Sequence, residues 1–167
     1  MRTSKIFKTK QHTFLSIQKK VEQWKKEGKT IVFSNGCFDI LHLGHIDYLL
    51  KAASFGDVLV IGLNSDISVK LIKGSNRPII DEKSRAMVLA ALCFVEAVVL
   101  FDEETPLKLI NIIKPDILVK GKDYQVKDVV GYQILKSYGG KVKTVKLVEG
   151  YSTTAIEKRI RALNVLK

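Results

Sequence analysis

The chain has 167 residues, 46% of them hydrophobic, with three prolines and a formal net charge of +11. That length suits one domain with a single substantial core. The composition excludes a disordered chain, and no apolar run approaches the roughly 20 residues that span a bilayer. Met1-Arg2-Thr3-Ser4-Lys5 is basic, but neither a signal-peptide apolar core nor a small-residue cleavage site follows it. The two cysteines, Cys37 and Cys93, form no CxxC or zinc spacing, which reads as a reduced, cytoplasmic protein. The positive charge has three readings. Nucleic-acid binding is the weakest, because the lysines run from Lys5 to Lys167 without alternating aromatics as a stacking platform. A solvated basic surface and a field that draws in small polyanions stand side by side; neither a nucleic acid nor a membrane is an expected partner.

In chain order, residues 11–27 predict an amphipathic helix, with Phe14, Leu15, Ile17, Val21 and Trp24 near helical spacing and Gly28 as its stop. A short buried strand follows over 31–34. The run Asn35-Gly36-Cys37-Phe38-Asp39-Ile40-Leu41-His42-Leu43-Gly44-His45 then leads into a helix from Ile46 that ends near Phe55-Gly56. Residues 57–63 are almost continuously apolar, as a strand covered on both faces should be. A polar segment over 64–81 ends in Lys73-Gly74-Ser75-Asn76-Arg77-Pro78. Helical spacing returns over 82–93, placing Cys93 on a core face, and a strand follows over 97–101. Thr105-Pro106 opens a helix that runs through Ile113, with the proline in its first turn. A strand over 116–120, a helix over 131–138, a fifth strand over 142–148 and a closing helix over 153–163 capped by Ser152 complete the chain. Five strands alternating with helices imply an α/β fold of Rossmann-like, three-layer type with a parallel sheet. It forms a single domain over 1–167 with an N-terminal helical extension over about 1–28.

In such sheets ligands gather beyond the strands' carboxyl ends, where the strand order reverses. His42 and His45 sit there, at the handover from the first predicted strand to a helix, where free amides and the helix dipole favour phosphate. The two rings could instead ligate zinc, but no nearby cysteine or carboxylate completes a tetrahedral set, so no protein-held metal is expected. Asp39 reads as a turn-capping carboxylate ahead of a base or metal ligand. Cys37 has no evident general-base partner and reads as a small packing residue. For Asn64-Ser65-Asp66, contact with nucleotide or acceptor and a plain helix cap are equal readings.

The pattern Gly36-x-Phe38-Asp39-x-x-His42-x-Gly44-His45 resembles the signature of the nucleotidylyltransferase superfamily, which joins a nucleoside monophosphate to a phosphate acceptor. Glu149-Gly150-Tyr151-Ser152-Thr153-Thr154-x-Ile156 resembles the segment that opens its last helix, and Glu82-Lys83-Ser84-Arg85 its central arginine motif. Lys73-Gly74-x-x-Arg77-Pro78 and Leu118-Val119-Lys120-Gly121-x-Asp123-Tyr124 are similar to one branch, the adenylyltransferases of D-glycero-β-D-manno-heptose 1-phosphate. The resemblance implies transfer of AMP from ATP to that sugar phosphate, giving ADP-heptose for the lipopolysaccharide inner core. A separate kinase would supply the acceptor, Mg²⁺ would accompany ATP, and a homodimer is expected. The same chemistry on another acceptor, as in polyol phosphate cytidylyltransferases or FMN adenylyltransferases, is the alternative.

The implied roles follow from charge. No covalent intermediate is needed, so alignment and charge stabilisation do the work. His42 and His45 are the catalytic candidates, aiming ring N–H groups at one phosphate. Asn35, Gly36, Cys37, Phe38, Gly44, Lys120, Gly121, Asp123, Ser152, Thr153 and Thr154 are nucleotide-binding candidates. Gly44 is read as leaving room for close approach by phosphate or base. Asn64, Asp66, Lys73, Arg77 and Arg85 are candidates for acceptor phosphate or pyrophosphate, Arg85 standing evenly against an ion-pair role. Two departures stand out. Ala53 occupies a position often basic in relatives, with Lys51 two residues away. Leu147 replaces an arginine of the glycerol-3-phosphate cytidylyltransferases, which argues against that branch.

Overall fold

A computed structural model describes residues 9–122 and 125–164. Its strands are β1 (Gln11–His12), β2 (Ile31–Gly36), β3 (Val58–Asn64), β4 (Ala97–Phe101), β5 (Ile117–Gly121) and β6 (Lys141–Val145). They form one six-stranded sheet in the order β1-β4-β3-β2-β5-β6, every neighbouring pair parallel. The helices are α1 (Phe14–Lys26), α2 (Leu43–Ala53), α3 (Asp66–Lys73), α4 (Glu82–Ala91), α5 (Leu107–Ile113), α6 (Tyr132–Ser137) and α7 (Thr153–Asn164). None of the described helices is long and apolar enough to cross a membrane.

Alternation along the central strands sorts side chains into two cores. Ile31 and Phe33 of β2, Val58 and Val60 of β3, and Ala97 and Val99 of β4 point to one face. There they meet Ile17, Val21 and Trp24 of α1 and Leu109, Ile110 and Ile113 of α5. Val32, Leu59, Ile61 and Val98 point to the other face, against Leu49 and Ala52 of α2 and Ala86, Leu89 and Ala90 of α4. The result is three layers, with every residue of β3 buried.

The sheet differs from the sequence expectation by one strand. β1 pairs Gln11 with Val98 and His12 with Val99, and two residues are too few to show a period. The first helix therefore starts later than residue 11. Thr13 caps α1 by accepting from the Ser16 amide at 3.2 Å, while the Ser16 hydroxyl takes the Thr13 amide at 2.9 Å. At the other end Gly28, with φ of 71°, completes a Schellman stop in which the Lys29 amide donates to the Trp24 carbonyl at 3.0 Å. The polar segment over 64–81 contains α3, whose Ser65 cap accepts from the Ser68 amide at 3.2 Å. Of its apolar residues Val69 is buried while Ile67, Leu71 and Ile72 are exposed, so its core-facing side is one residue wide and makes no stripe. α4 ends at Ala91, two residues short of the expected end, and Cys93 falls in a turn and is exposed rather than in the core. β6 stops at Val145, leaving residues 146–152 as a loop.

From β2 the chain moves to β3 and β4 on one side, and β5 and β6 lie on the other. The strand order thus reverses between β2 and β5. Tyr48 of α2 joins these two strands, its buried hydroxyl 2.7 Å from Ser34 Oγ and donating to the Val119 carbonyl at 2.8 Å. The crevice above this seam holds the site.

Candidate active site

β2 ends mid-sheet and the chain reverses tightly before α2. Phe38 takes a φ of 45°, a left-handed conformation that costs a bulky residue roughly 1–3 kcal/mol. Contacts on both sides hold it. The Cys37 carbonyl accepts from Arg85 Nη1. The Asp39 carboxylate accepts the amides of Ile79 at 2.8 Å and Ile80 at 2.9 Å, and Arg77 Nη1 at 2.7 Å. Burial pushes the Asp39 carboxyl up, but the Ile80 and Ile79 amides and the Arg77 guanidinium outweigh it and hold its pKa below the ordinary value. Asp39 is therefore a brace for the loop before α4, the turn-capping kind of role favoured for it above.

The braced turn delivers His42 to the N-cap position of α2 and His45 to its first turn. His42 makes no capping bond, and its Nδ1 is buried without a hydrogen-bond partner among the described residues. The two rings stack with centroids 3.9 Å apart and planes 23° apart, and Phe38 meets His45 edge-on at 5.4 Å. Burial lowers the pKa of His42. His45 is lowered to about 4, first by burial, then by repulsion from His42 and Lys73, with the Ile40 carbonyl pulling the other way. Both shifts favour the neutral ring, which keeps one N–H to donate.

They line a cavity of about 640 Å³. Asn35, Gly36, Cys37 and Phe38 enter its wall from the end of β2, Lys120 and Gly121 from the end of β5, Asn64 from β3 and Lys73 from α3. Lys120 Nζ lies 3.3 Å from the Asn35 carbonyl, and Asn35 Oδ1 is buried without a partner among the described residues. Cys37 carries a thiol whose pKa burial pushes up, despite Lys73 and Arg85 nearby, so it is a wall residue and not a thiolate nucleophile. A second helix N-terminus faces the same space. Ser152 Oγ accepts from the Ala155 amide at 3.1 Å, capping α7, and Ser152, Thr153 and Thr154 all line the cavity. Gly44 makes the approach of that segment possible, since a Cβ there would stand 3.1 Å from the His42 ring and from Tyr151 Cβ. Gly44 itself also lines the cavity.

Asp66, Arg77 and Arg85, read as acceptor ligands, are absent from the cavity wall among the described residues. Arg85 is 1% exposed and donates to the carbonyls of Ile80, Cys37 and Asn64 and to the Asp66 carboxylate. It is an internal clamp tying α4 to the ends of β2 and β3, and Asp66 is its counter-ion. Within the Asn64-Ser65-Asp66 run, Ser65 is the helix cap, and Asn64 donates to Ser68 Oγ at 2.9 Å. Arg77 is paired to Asp39 and to Glu157 of α7. Asp123 and Tyr124 lie outside the described residues. Lys51 does not replace a basic residue at Ala53: it pairs with Asp47, donates to the Lys146 carbonyl at 3.2 Å and does not reach the cavity.

Residues not named above as ligand candidates also line the space, among them Tyr48, Glu104, Thr105, Val130 and Leu147. The rule that ligands gather past strand ends would have found Glu104 and Thr105, which follow β4, and Leu147, which follows β6. Among the described residues, no group of three His, Cys, Asp or Glu side chains is placed to hold a metal ion.

The family of cytidylyltransferase-like proteins matches residues 33–159. The chain is 57% identical over 143 residues to the bifunctional protein HldE of Geobacter metallireducens, covering 85% of this chain and 29% of that protein. It is 54% identical over 145 residues to the HldE of Syntrophotalea carbinolica, covering 87% of this chain and 30% of that one. The chain thus spans about a third or less of the curated relatives it matches. Among solved structures, a lipopolysaccharide core biosynthesis protein from Thermoplasma volcanium is similar with a TM-score of 0.60 and 34% identity, over 75% of this chain and 100% of that chain. A pantoate-beta-alanine ligase from Francisella tularensis shares the fold, with a TM-score of 0.52 and 18% identity over 89% of this chain and 77% of that one.

Proposed function

The chain belongs to the cytidylyltransferase-like family, and from that premise we propose that it is an adenylyltransferase moving AMP from ATP to D-glycero-β-D-manno-heptose 1-phosphate, with release of pyrophosphate. The product, ADP-heptose, is a precursor of the lipopolysaccharide inner core. One observation carries the chemistry: two stacked imidazoles at the start of α2 share a single cavity with the hydroxyl-rich start of α7. Similarity to the two HldE proteins and to a lipopolysaccharide core biosynthesis protein supports the choice of acceptor.

In the reaction an oxygen of the acceptor phosphate forms a bond to the α-phosphorus of ATP. The bond from that phosphorus to the bridging oxygen breaks, and pyrophosphate leaves with the electron pair. Negative charge grows on the α-phosphoryl oxygens and the departing bridge. His42 and His45 donate N–H bonds to this charge and gain strength as it develops, the differential binding that lowers a barrier. An arriving polyphosphate also favours the imidazolium form, so ATP binding raises the His45 pKa from its low resting value. The amides and hydroxyls of Ser152, Thr153 and Thr154 receive the β- and γ-phosphates. Lys120 contributes positive charge on the nucleotide side and Lys73 on the acceptor side. Gly121 and Asp123 are assigned to the base and ribose. Mg²⁺, when bound, neutralises triphosphate charge. It would travel with ATP as the nucleotide's counter-ion, and the chain's own groups carry the binding and alignment.

A cytoplasmic location, where ATP is supplied, and a homodimer are proposed with it, the latter to be checked by light scattering. Pyrophosphate release measured with ATP or CTP against a panel of sugar phosphates, polyol phosphates and FMN tests the assignment. The account expects the combination of ATP and heptose 1-phosphate to exceed all others. Preference for CTP with a polyol phosphate would transfer the assignment to the alternative acceptor class.

A further inference from the structure

Arg77 connects two segments of the site that lie far apart in sequence. Its Nη1 donates to Asp39 Oδ2 at 2.7 Å, three residues before His42, while its Nη2 pairs with Glu157 on α7. The three side chains are largely withdrawn from water, Asp39 being 4%, Arg77 17% and Glu157 20% exposed. The inner end of this chain of charges is fixed. Asp39 also holds the Ile79 and Ile80 amides, and the Ile80 carbonyl accepts from the buried Arg85 at 2.9 Å. The outer end is different. No residue of α7 whose burial is described is buried, and Thr153, Ile156 and Glu157, which share one face at helical spacing, are its half-buried positions. Glu157 stands one turn beyond Thr153, so its pairing fixes where the first turn of α7 stands.

We propose that Glu157 is a positioning residue: through Arg77 and Asp39 it sets the Ser152, Thr153 and Thr154 hydroxyls against His42 and His45, and thereby controls capture of the triphosphate. The inference rests on the adenylyltransferase reading. A planar guanidinium suits the task, because its fork serves two carboxylates at once, whereas a lysine offers a single charge centre. The contact acts on the helix that binds phosphate and leaves the imidazole pair untouched. It is therefore expected to act on KM for ATP and not on kcat.

The test compares the full-length chain with Glu157→Gln, Arg77→Lys, the double variant and Glu157→Asp. Steady-state kinetics with ATP and heptose 1-phosphate and amide hydrogen exchange are measured on each. Glu157→Gln is expected to raise KM for ATP roughly tenfold, equivalent to about 1.4 kcal/mol, with kcat within about twofold and the melting temperature nearly unchanged. Amides of residues 153–158 exchange faster, and those of 42–46 do not. Arg77→Lys raises KM for ATP at least as much and, because it also loosens the Asp39 brace, lowers kcat and the melting temperature as well; adding Glu157→Gln to it raises KM no further, and Glu157→Asp recovers part of the loss. Unchanged KM together with unchanged exchange in α7, or fully additive losses in the double variant, would overturn the proposal. If the unaltered chain turned over no substrate, that would count against the adenylyl-transfer reading, while the exchange data would still decide whether Glu157 holds α7.

Discussion

Two helices open onto the cavity with polar N-termini, and they are held in opposite ways. α2 buries Gly44, Tyr48, Leu49 and Ala52, and the turn ahead of it is braced by Asp39 and by the Arg85 clamp. α7 buries none of the side chains whose burial is described; its N-terminus is capped only locally, and the pair from Arg77 to Glu157 ties it to the loop before α4. In the proposed mechanism the groups assigned to developing charge are built into the core, where pre-organisation costs nothing at the moment of reaction. Those assigned to nucleotide capture stand on a lightly docked helix, as elements that move are drawn from the weakly packed part of a fold. Damage near α2 should therefore appear in kcat and stability, and damage near α7 in KM.

The sharpest way to break this contrast is to remove the clamp. Arg85→Met leaves the Asp66 carboxylate and the carbonyls of Cys37, Asn64 and Ile80 without their donor, and a loss of roughly 3–5 kcal/mol is expected, read from urea denaturation. Replacing either histidine by alanine follows, with about 2.7–4 kcal/mol of transition-state stabilisation lost. On the α7 side, Ser152→Ala removes a cap worth about 1 kcal/mol, and the change should appear as a raised KM for ATP with kcat nearly kept. The buried imidazole adds a pH signature on the rigid side. The His45 pKa is lowered from 6.5 to about 4, so the unfolded chain binds the extra proton first. The stability that the neutral ring carries is full above pH 6.5 and declines as the pH falls toward 4; comparing denaturation curves of the unaltered chain and His45→Asn across that window checks it. Least affected is Lys51→Ala, outside the cavity, whose stability should stay within about 0.5 kcal/mol and whose turnover should not change.

Much of this arrangement is legible in the residues. Apolar runs such as Val58 to Leu63 announce buried strands, and the histidine run after Ile31-Val32-Phe33 marks the rim of the sheet. What escapes has physical reasons. β1 is too short for any periodicity, and α3 is two turns long with Val69 as its one buried apolar residue, too little to stand out of a polar segment. Arg85 has the composition of a phosphate ligand, and only its complete burial among carbonyls reveals a structural task. The pairing of Arg77 with Glu157 joins positions on separate elements that no local pattern links. Short motifs record which groups are present; whether a charge faces a ligand or a neighbour is settled by packing.

The central claim is that His42 and His45 stabilise charge that exists only during transfer. Single-turnover pyrophosphate formation by His42→Ala and His45→Ala, set beside their equilibrium affinity for ATP, tests it most directly. The account predicts a fall in the chemical rate of roughly 10²–10³ with ATP affinity changed only severalfold. A chemical rate equal to that of the unaltered chain, in a variant that still binds ATP, would contradict it.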